Sequence, residues 1–149
     1  MKVLVTGTST GIGRGIAEKF LAEGHTVIGL DVAESTIAHE NYAHYIADVA
    51  CPEQLPAVEG VEILINNAGV QDSGRDIDVN LRGTIYCTEK YGIQPNIKSI
   101  VMTASVSAHN GAEFPEYCAS KGGVLAYTKN VALRVAKYGA TCNSISAGG

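Results

Sequence analysis

Three glycines set on a strand-to-helix turn constrain this chain more than any other feature. Val3-Leu4-Val5 is a short apolar run rich in β-branched residues, which predicts a buried parallel strand. Thr6-Gly7-Thr8-Ser9-Thr10-Gly11-Ile12-Gly13 follows it. Ile12, Ile16, Phe20 and Leu21 then form an apolar stripe at helical spacing that stops at Gly24. In such a turn Gly7 allows the tight bend, Gly11 lets backbone approach a ligand, and Gly13 lets helix and strand pack closely. Free N–H groups at the helix start, with a positive dipole end, suit a pyrophosphate.

A glycine-rich turn alone is a weak signal, because plain tight turns are common. The next segment strengthens it. Residues 25–30 read as a second strand, and Asp31 stands at its end, 20 residues past Gly11. A βαβ dinucleotide site places a carboxylate there, on the adenosine ribose. The plainer alternative for Asp31 is a turn or cap residue.

The 149 residues suffice for one domain, residues 1–149, with a substantial core. The net charge is −4 and no basic run exists, so nothing marks a nucleic-acid or anionic-membrane surface. The first apolar run is too short for a signal-peptide core, and no stretch is long enough to span a bilayer. Cys51, Cys87, Cys118 and Cys142 are widely spaced, and His25, His39, His44 and His109 show no ligand spacing. The expectation is reduced thiols, a cytoplasmic location and no metal.

Strand and helix patterns alternate, which predicts an α/β fold with a parallel sheet. Tyr42-Ala43-His44-Tyr45-Ile46 reads as a short third strand, with Asp48 just beyond. Residues 51–60 contain Pro52 and Pro56 and leave room for only a short helix. Residues 61–65 form a fourth strand ending in Asn66-Asn67-Ala68-Gly69. A helix follows over 76–91, with Ile77, Leu81 and Ile85 at i, i+4 and i+8, ended by Gly92 and Pro95. Residues 99–103 are a fifth strand, followed by a polar loop at 104–110. A long helix over 115–138 carries Val124, Thr128, Val131 and Val135 on one face and stops at Gly139. Residues 141–145 are a sixth strand, expected at the sheet edge.

The chemistry rests on a few polar residues. Tyr117 and Lys121 form Y-x-x-x-K, which stacks the two side chains on one helix face. A free tyrosine titrates near pH 10, roughly 2 to 3 units too high for a base at neutral pH, and a neighbouring cation favours the phenolate. Alone the pair arises easily by chance. Ser105 precedes Tyr117 by 12 residues, at the carboxyl end of the fifth strand, where ligands of open α/β sheets gather. Its hydroxyl could donate to a carbonyl oxygen that gains charge during hydride transfer, or simply form a turn. Asn80 lies on the helix after the fourth strand, where it could hold a water or face solvent.

Taken together, Thr6-Gly7-x-x-x-Gly11-Ile12-Gly13, Asp48, Asn66-Asn67-Ala68-Gly69, Asn80, Ser105 and Tyr117-x-x-x-Lys121 resemble the short-chain dehydrogenases/reductases in residue order, from residue 2 to about 148. The resemblance implies a Rossmann-like doubly wound parallel sheet of about six strands, lacking the family's C-terminal strand and substrate lid. It implies that Tyr117 is the general acid/base and that Lys121 holds the nicotinamide ribose and lowers the tyrosine pKa. Ser105 would polarise the substrate carbonyl, and Asn80 would position a relay water. Gly7, Thr10, Gly11, Ile12, Gly13, Asp31, Asn67, Ala68 and Gly69 would bind the cofactor, with Asp48 and Val49 lining the adenine pocket. Asp31, and the lack of a cation at Thr10, favour NAD over NADP. The implied partners are a small alcohol or ketone and further copies of the chain, as a homodimer or homotetramer paired through the helices at 76–91 and 115–138.

Two departures stand out. Asn143-Ser144-Ile145-Ser146-Ala147-Gly148 resembles the family's N-x-I-x-P-G segment with Ala147 in place of proline, which frees φ at the turn. The chain also ends before the family's substrate loop, so the substrate pocket is expected to be incomplete. Three functions compete: an alcohol/ketone oxidoreductase, a dinucleotide-binding module or inactive fragment without turnover, and an epimerase or dehydratase. The last group usually carries T-G-x-x-G-x-x-G, which disfavours it here. Substrate identity is not legible.

Overall fold

A computed structural model describes residues 1–105 and 114–147. Six strands form one parallel sheet: β1 (Lys2–Thr6), β2 (Thr26–Asp31), β3 (Tyr42–Ile46), β4 (Ile63–Asn66), β5 (Ser99–Ser105) and β6 (Thr141–Ala147). Their spatial order is β3-β2-β1-β4-β5-β6, with β3 and β6 at the edges. The chain lays strands outward from β1 in one direction, then returns to the other side of β1 with β4. The predicted third strand matches β3 in both bounds, and the fifth and sixth strands each run two residues past their expected ends at 103 and 145. Residues 106–110 of the expected polar loop, and Gly148, lie outside the described residues.

Side chains alternate between the sheet faces. Val3, Val5, Val27 and Ile65 face α1 (Gly11–Ala22) and bury with Ala17 and Leu21. Leu4, Leu64, Ile100 and Met102 face the opposite side and bury against Tyr91, Val124, Val131 and Val135. These come from α2, the continuous helical run 77–92, and from α3 (Pro115–Val135). A single 3-10 turn, Ala136–Tyr138, ends α3, and Gly139 leaves it at φ +72°, the left-handed region that glycine tolerates.

Two apolar patterns turn out differently from their sequence reading. Ile12 leaves the core stripe of α1: it is 69% exposed and lines a cleft instead, while Gly13, Ala17 and Leu21 are buried. In α2 the residues Ile77, Leu81 and Ile85 are only half-buried, and the buried set is Val79-Asn80, Gly83-Thr84, Cys87-Thr88 and Tyr91-Gly92. That set repeats every four residues. The first and last parts of α2, Ile77–Arg82 and Thr88–Gly92, carry π-type i→i+5 hydrogen bonding, and the wider turn keeps a four-residue repeat on one face. Small residues then let the helix close on the sheet. A Cβ at position 83 would stand 2.5 Å from Val49 Cγ2.

The crossovers at 32–41 and 47–62 hold no α-helix, only the 3-10 turn Pro52–Gln54 in the second. Both prolines restrict helix growth there. Polar side chains fasten the first crossover. Thr8 Oγ1 lies 2.7 Å from the Tyr42 hydroxyl, which lies 2.7 Å from His44 Nδ1, and His44 Nε2 reaches the Ala33 carbonyl at 2.9 Å. The Thr36 hydroxyl donates to Ser9 O and the Ser9 hydroxyl to Glu34 O. The linker is thereby tied to the glycine turn itself.

Candidate functional site

Between β1 and β4 the direction of sheet growth reverses, and the crevice at the carboxyl ends of these strands is where an open α/β sheet takes ligands. Gly7 follows β1 with φ +75°, a conformation that side chains resist. The hydroxyl oxygen of Thr6 accepts from the backbone N–H groups of both Asn67 and Ala68, at 2.9 Å each. One threonine therefore joins the two loops that wall the crevice. Gly13 carries the closest approach: a Cβ there would stand 1.9 Å from the Gly7 carbonyl oxygen and 2.5 Å from Asn67 Nδ2. Gly11 adopts φ +58° with open space around it.

The resulting cleft has a volume of about 440 Å³. Of the residues singled out for cofactor binding, Gly7, Thr10, Gly11, Ile12, Asp31, Asp48, Val49, Asn67, Ala68 and Gly69 line it. Gly13 lies beneath, where it sets the spacing. The Asp31 carboxylate is oriented by the backbone N–H groups of Ser9 (3.0 Å) and Ala33 (2.9 Å). At Asp48, burial opposes charge, yet the Ala50 N–H and the Arg75 guanidinium outweigh it and hold the carboxyl below its usual range. Arg75 Nη2 pairs with Asp48 Oδ2 at 2.7 Å, and both residues line the cleft.

Asn80, Ser105, Tyr117 and Lys121 are not among the residues that line the cleft. Asn80 and Lys121 are buried close behind its wall: a Cβ at Gly69 would lie 3.2 Å from Asn80 Oδ1 and 3.5 Å from Lys121 Nζ. Lys121 is 5% exposed, and its ammonium donates to the Thr103 carbonyl at 3.0 Å. Burial pushes its pKa down to about 8. The same nitrogen lies 5.8 Å from the centroid of the Tyr117 ring, one helical turn away. Ser105 ends β5, two residues beyond the carbonyl that Lys121 holds, and is 7% exposed. The Asn80 amide is engaged on every side: Oδ1 accepts from Val70 N (2.7 Å), and Nδ2 donates to Val70 O (2.7 Å) and Ser120 Oγ (3.2 Å). A water on Asn80 would need its backbone carbonyl, which already accepts from the Thr84 hydroxyl.

Sequence reasoning passed over Thr6, Ser120, Arg75 and Asp76. Thr6 had a signal in its place at the head of the glycine motif. Ser120 sits inside the Y-x-x-x-K window. Asp76 is 1% exposed and its carboxylate accepts from Asp72 N, Ser73 N and the Ser73 hydroxyl. Nothing in the sequence marks a lone arginine or a lone aspartate in a short loop.

Comparison with known proteins agrees with this architecture. The sequence matches the short chain dehydrogenase family over residues 1–149. It is 32% identical to the 3-oxoacyl-(acyl-carrier-protein) reductase of Vibrio cholerae, covering 97% of this chain and 71% of that protein. It is 30% identical to galactitol 2-dehydrogenase of Agrobacterium fabrum, covering 97% and 68%. The structure superposes on Thermoplasma acidophilum aldohexose dehydrogenase with a TM-score of 0.86 and 33% identity, over 99% of this chain and 66% of that one. The NAD complex of Brucella melitensis 3-oxoacyl-(acyl-carrier protein) reductase gives a TM-score of 0.85 and 29% identity, over 99% and 72%. The chain thus spans about two thirds of the length of the proteins it matches. It is a member of the short-chain dehydrogenase family, an oxidoreductase family, with that family's Rossmann-like parallel sheet.

Proposed function

We propose that this protein binds NAD(H) in preference to NADP(H) and interconverts a secondary alcohol and a ketone, with Tyr117 as general acid/base. The observation that carries the reading is the buried Lys121 ammonium, held to Thr103 O and 5.8 Å from the Tyr117 ring centroid, close behind Gly69 of a cleft that Asp31 also lines. The cradle fits a dinucleotide. Gly7 and Gly13 bring the loop and helix start close, leaving backbone N–H groups for a pyrophosphate. Asp31 is fixed with oxygens available to ribose hydroxyls, and its charge opposes a 2′-phosphate.

The bound nicotinamide supplies the hydride acceptor or donor. The Tyr117 phenol passes the proton to or from substrate oxygen, and the Ser105 hydroxyl donates to the same oxygen as charge develops on it. The Lys121 ammonium favours the phenolate and would hold the nicotinamide ribose. Asn80 fixes Val70 and Ser120 around these groups.

Titration by reduced-cofactor fluorescence tests the binding half: NADH should bind more tightly than NADPH, and Asp31→Ala should narrow the gap. Equal affinities in the unmutated protein would refute the preference. With a ketone that supports turnover, Tyr117→Phe should lower the rate by about two orders of magnitude or more while NADH still binds. An unchanged rate would remove Tyr117 from its role. Tight NADH binding with no ketone reduced across a broad panel would leave a dinucleotide-binding module.

A further inference from the structure

Among the described residues Arg75 is the one cationic side chain lining the cleft, and the proposed chemistry makes no use of it. Its position is tightly specified. It ends a short loop that Asp76 holds from below through three donors, and Asn80 holds the start of the same loop through both backbone groups of Val70. Asp72 takes φ +51° in this loop, a left-handed conformation that aspartate tolerates only at some cost. The Arg75 N–H donates to the Ser73 hydroxyl, and the guanidinium reaches across to Asp48. An ion pair whose arginine is half-exposed adds little to the stability of the fold. Its placement therefore calls for another account.

Apolar side chains share the lining with it: Leu30, Ala47, Val49, Val70 and Val79. Such residues suit one face of a flat aromatic ring, and a second group is then needed to cover the other. We infer that Arg75 binds the adenine ring itself, its guanidinium plane covering the base from the solvent side while Asp48 fixes where that plane lies. This rests on the dinucleotide reading above and adds to it a residue that determines affinity at the adenine end. A guanidinium is planar and weakly hydrated, and it stacks on aromatic faces, which an ammonium does less well. Asp48 keeps lone pairs for the amino group of the base while paired with Arg75 and with the Ala50 N–H.

The test is the affinity of the 149-residue chain for NADH and for ADP-ribose, which carries the adenine and lacks the nicotinamide. Arg75→Ala should weaken both by the same factor, roughly tenfold. The emission of NADH at saturation should not change, because the nicotinamide end is untouched. Arg75→Lys keeps a cation for Asp48 and loses the plane, so it should recover less than half of the lost affinity on a logarithmic scale. Should Arg75→Ala fail to fold, Arg75→Gln carries the same expectation for both ligands. The inference is overturned if ADP-ribose binds the variant as well as the unmutated protein, or if lysine restores full affinity. If the unmutated chain binds neither ligand, the dinucleotide reading falls and Arg75 with it. If it binds both and Arg75→Ala changes neither, Arg75 alone is removed.

Discussion

At the scale of single residues, the site is held by contacts that leave no slack. Gly13 is the clearest case, because the atom facing its missing Cβ is a backbone carbonyl at 1.9 Å and cannot swing away. Gly13→Ala should cost about 3 kcal/mol, the upper part of the usual range for overpacking, and should abolish NADH binding. Urea unfolding measures it, and a loss below about 0.5 kcal/mol would mean that helix and turn separate easily. This glycine was legible because three glycines in one turn constrain each other. Thr6 was half-legible: its position was read, its bridging hydrogen bonds were not, because they join loops 61 residues apart. Arg75 was illegible, since its partner Asp48 stands 27 residues away in the chain.

At the scale of elements, all six strands were placed from the sequence, four as apolar runs and β3 and β6 from the alternation of elements, while the inner face of α2 was not. Period-3.6 reasoning selects Ile77, Leu81 and Ile85, and the i→i+5 turns rotate Val79, Thr84 and Cys87 inward instead. The long helix was read correctly at Val124, Thr128, Val131 and Val135. Its outer surface is less apolar than its composition suggests, because Leu125, Tyr127 and Ala132 already pack against this chain's own core. Ala119, Ala126 and Leu133 remain outward, Leu133 being 82% exposed. The expected outcome is a homodimer or homotetramer through this face together with α2, and a monomer by sedimentation at tens of micromolar would contradict it. The two helices are clamped before any partner arrives. Arg134 pairs with both oxygens of Glu89 at 2.6 and 2.7 Å, and the Tyr127 hydroxyl donates to the same carboxylate. Half-exposure screens this cluster, so Glu89→Ala should cost only about 1 kcal/mol by chemical unfolding. It should weaken self-association more than it weakens the fold.

At the scale of the whole molecule, buried titratable groups set the pH range of stability. Burial pushes the Cys87 thiol up to about 12 and the Cys142 thiol up to about 11, and it raises the Tyr91 and Tyr127 phenols as well. The folded state keeps these protons while the unfolded chain releases them from about pH 9 upward, so stability must fall as pH rises there. Lys121 acts oppositely. Its folded pKa of about 8 lies below its ordinary value of 10.5, so the unfolded chain binds the extra proton between them and that contribution rises with pH. Four groups outweigh one, and the melting temperature should decline between pH 9 and 11, more steeply in Lys121→Met; a flat profile would mean that these side chains are solvated. On the acid side burial opposes charge at Asp76, yet the Ser73 and Asp72 donors outweigh it and keep the carboxyl low, so its contribution disappears only as pH falls below about 4. The sheet order has a consequence for assembly in time. β1, made before the other five strands, is paired on one side with β2 and on the other with β4, where Val3 meets Ile63. During synthesis its second neighbour cannot exist until residue 66 has left the ribosome, and α3 cannot cap the far face until residue 135 has done so. A nascent chain of this protein therefore carries a bare edge on β1 until residue 66 has emerged and a partly covered sheet face until residue 135 has, an interval in which a holding chaperone has its best target.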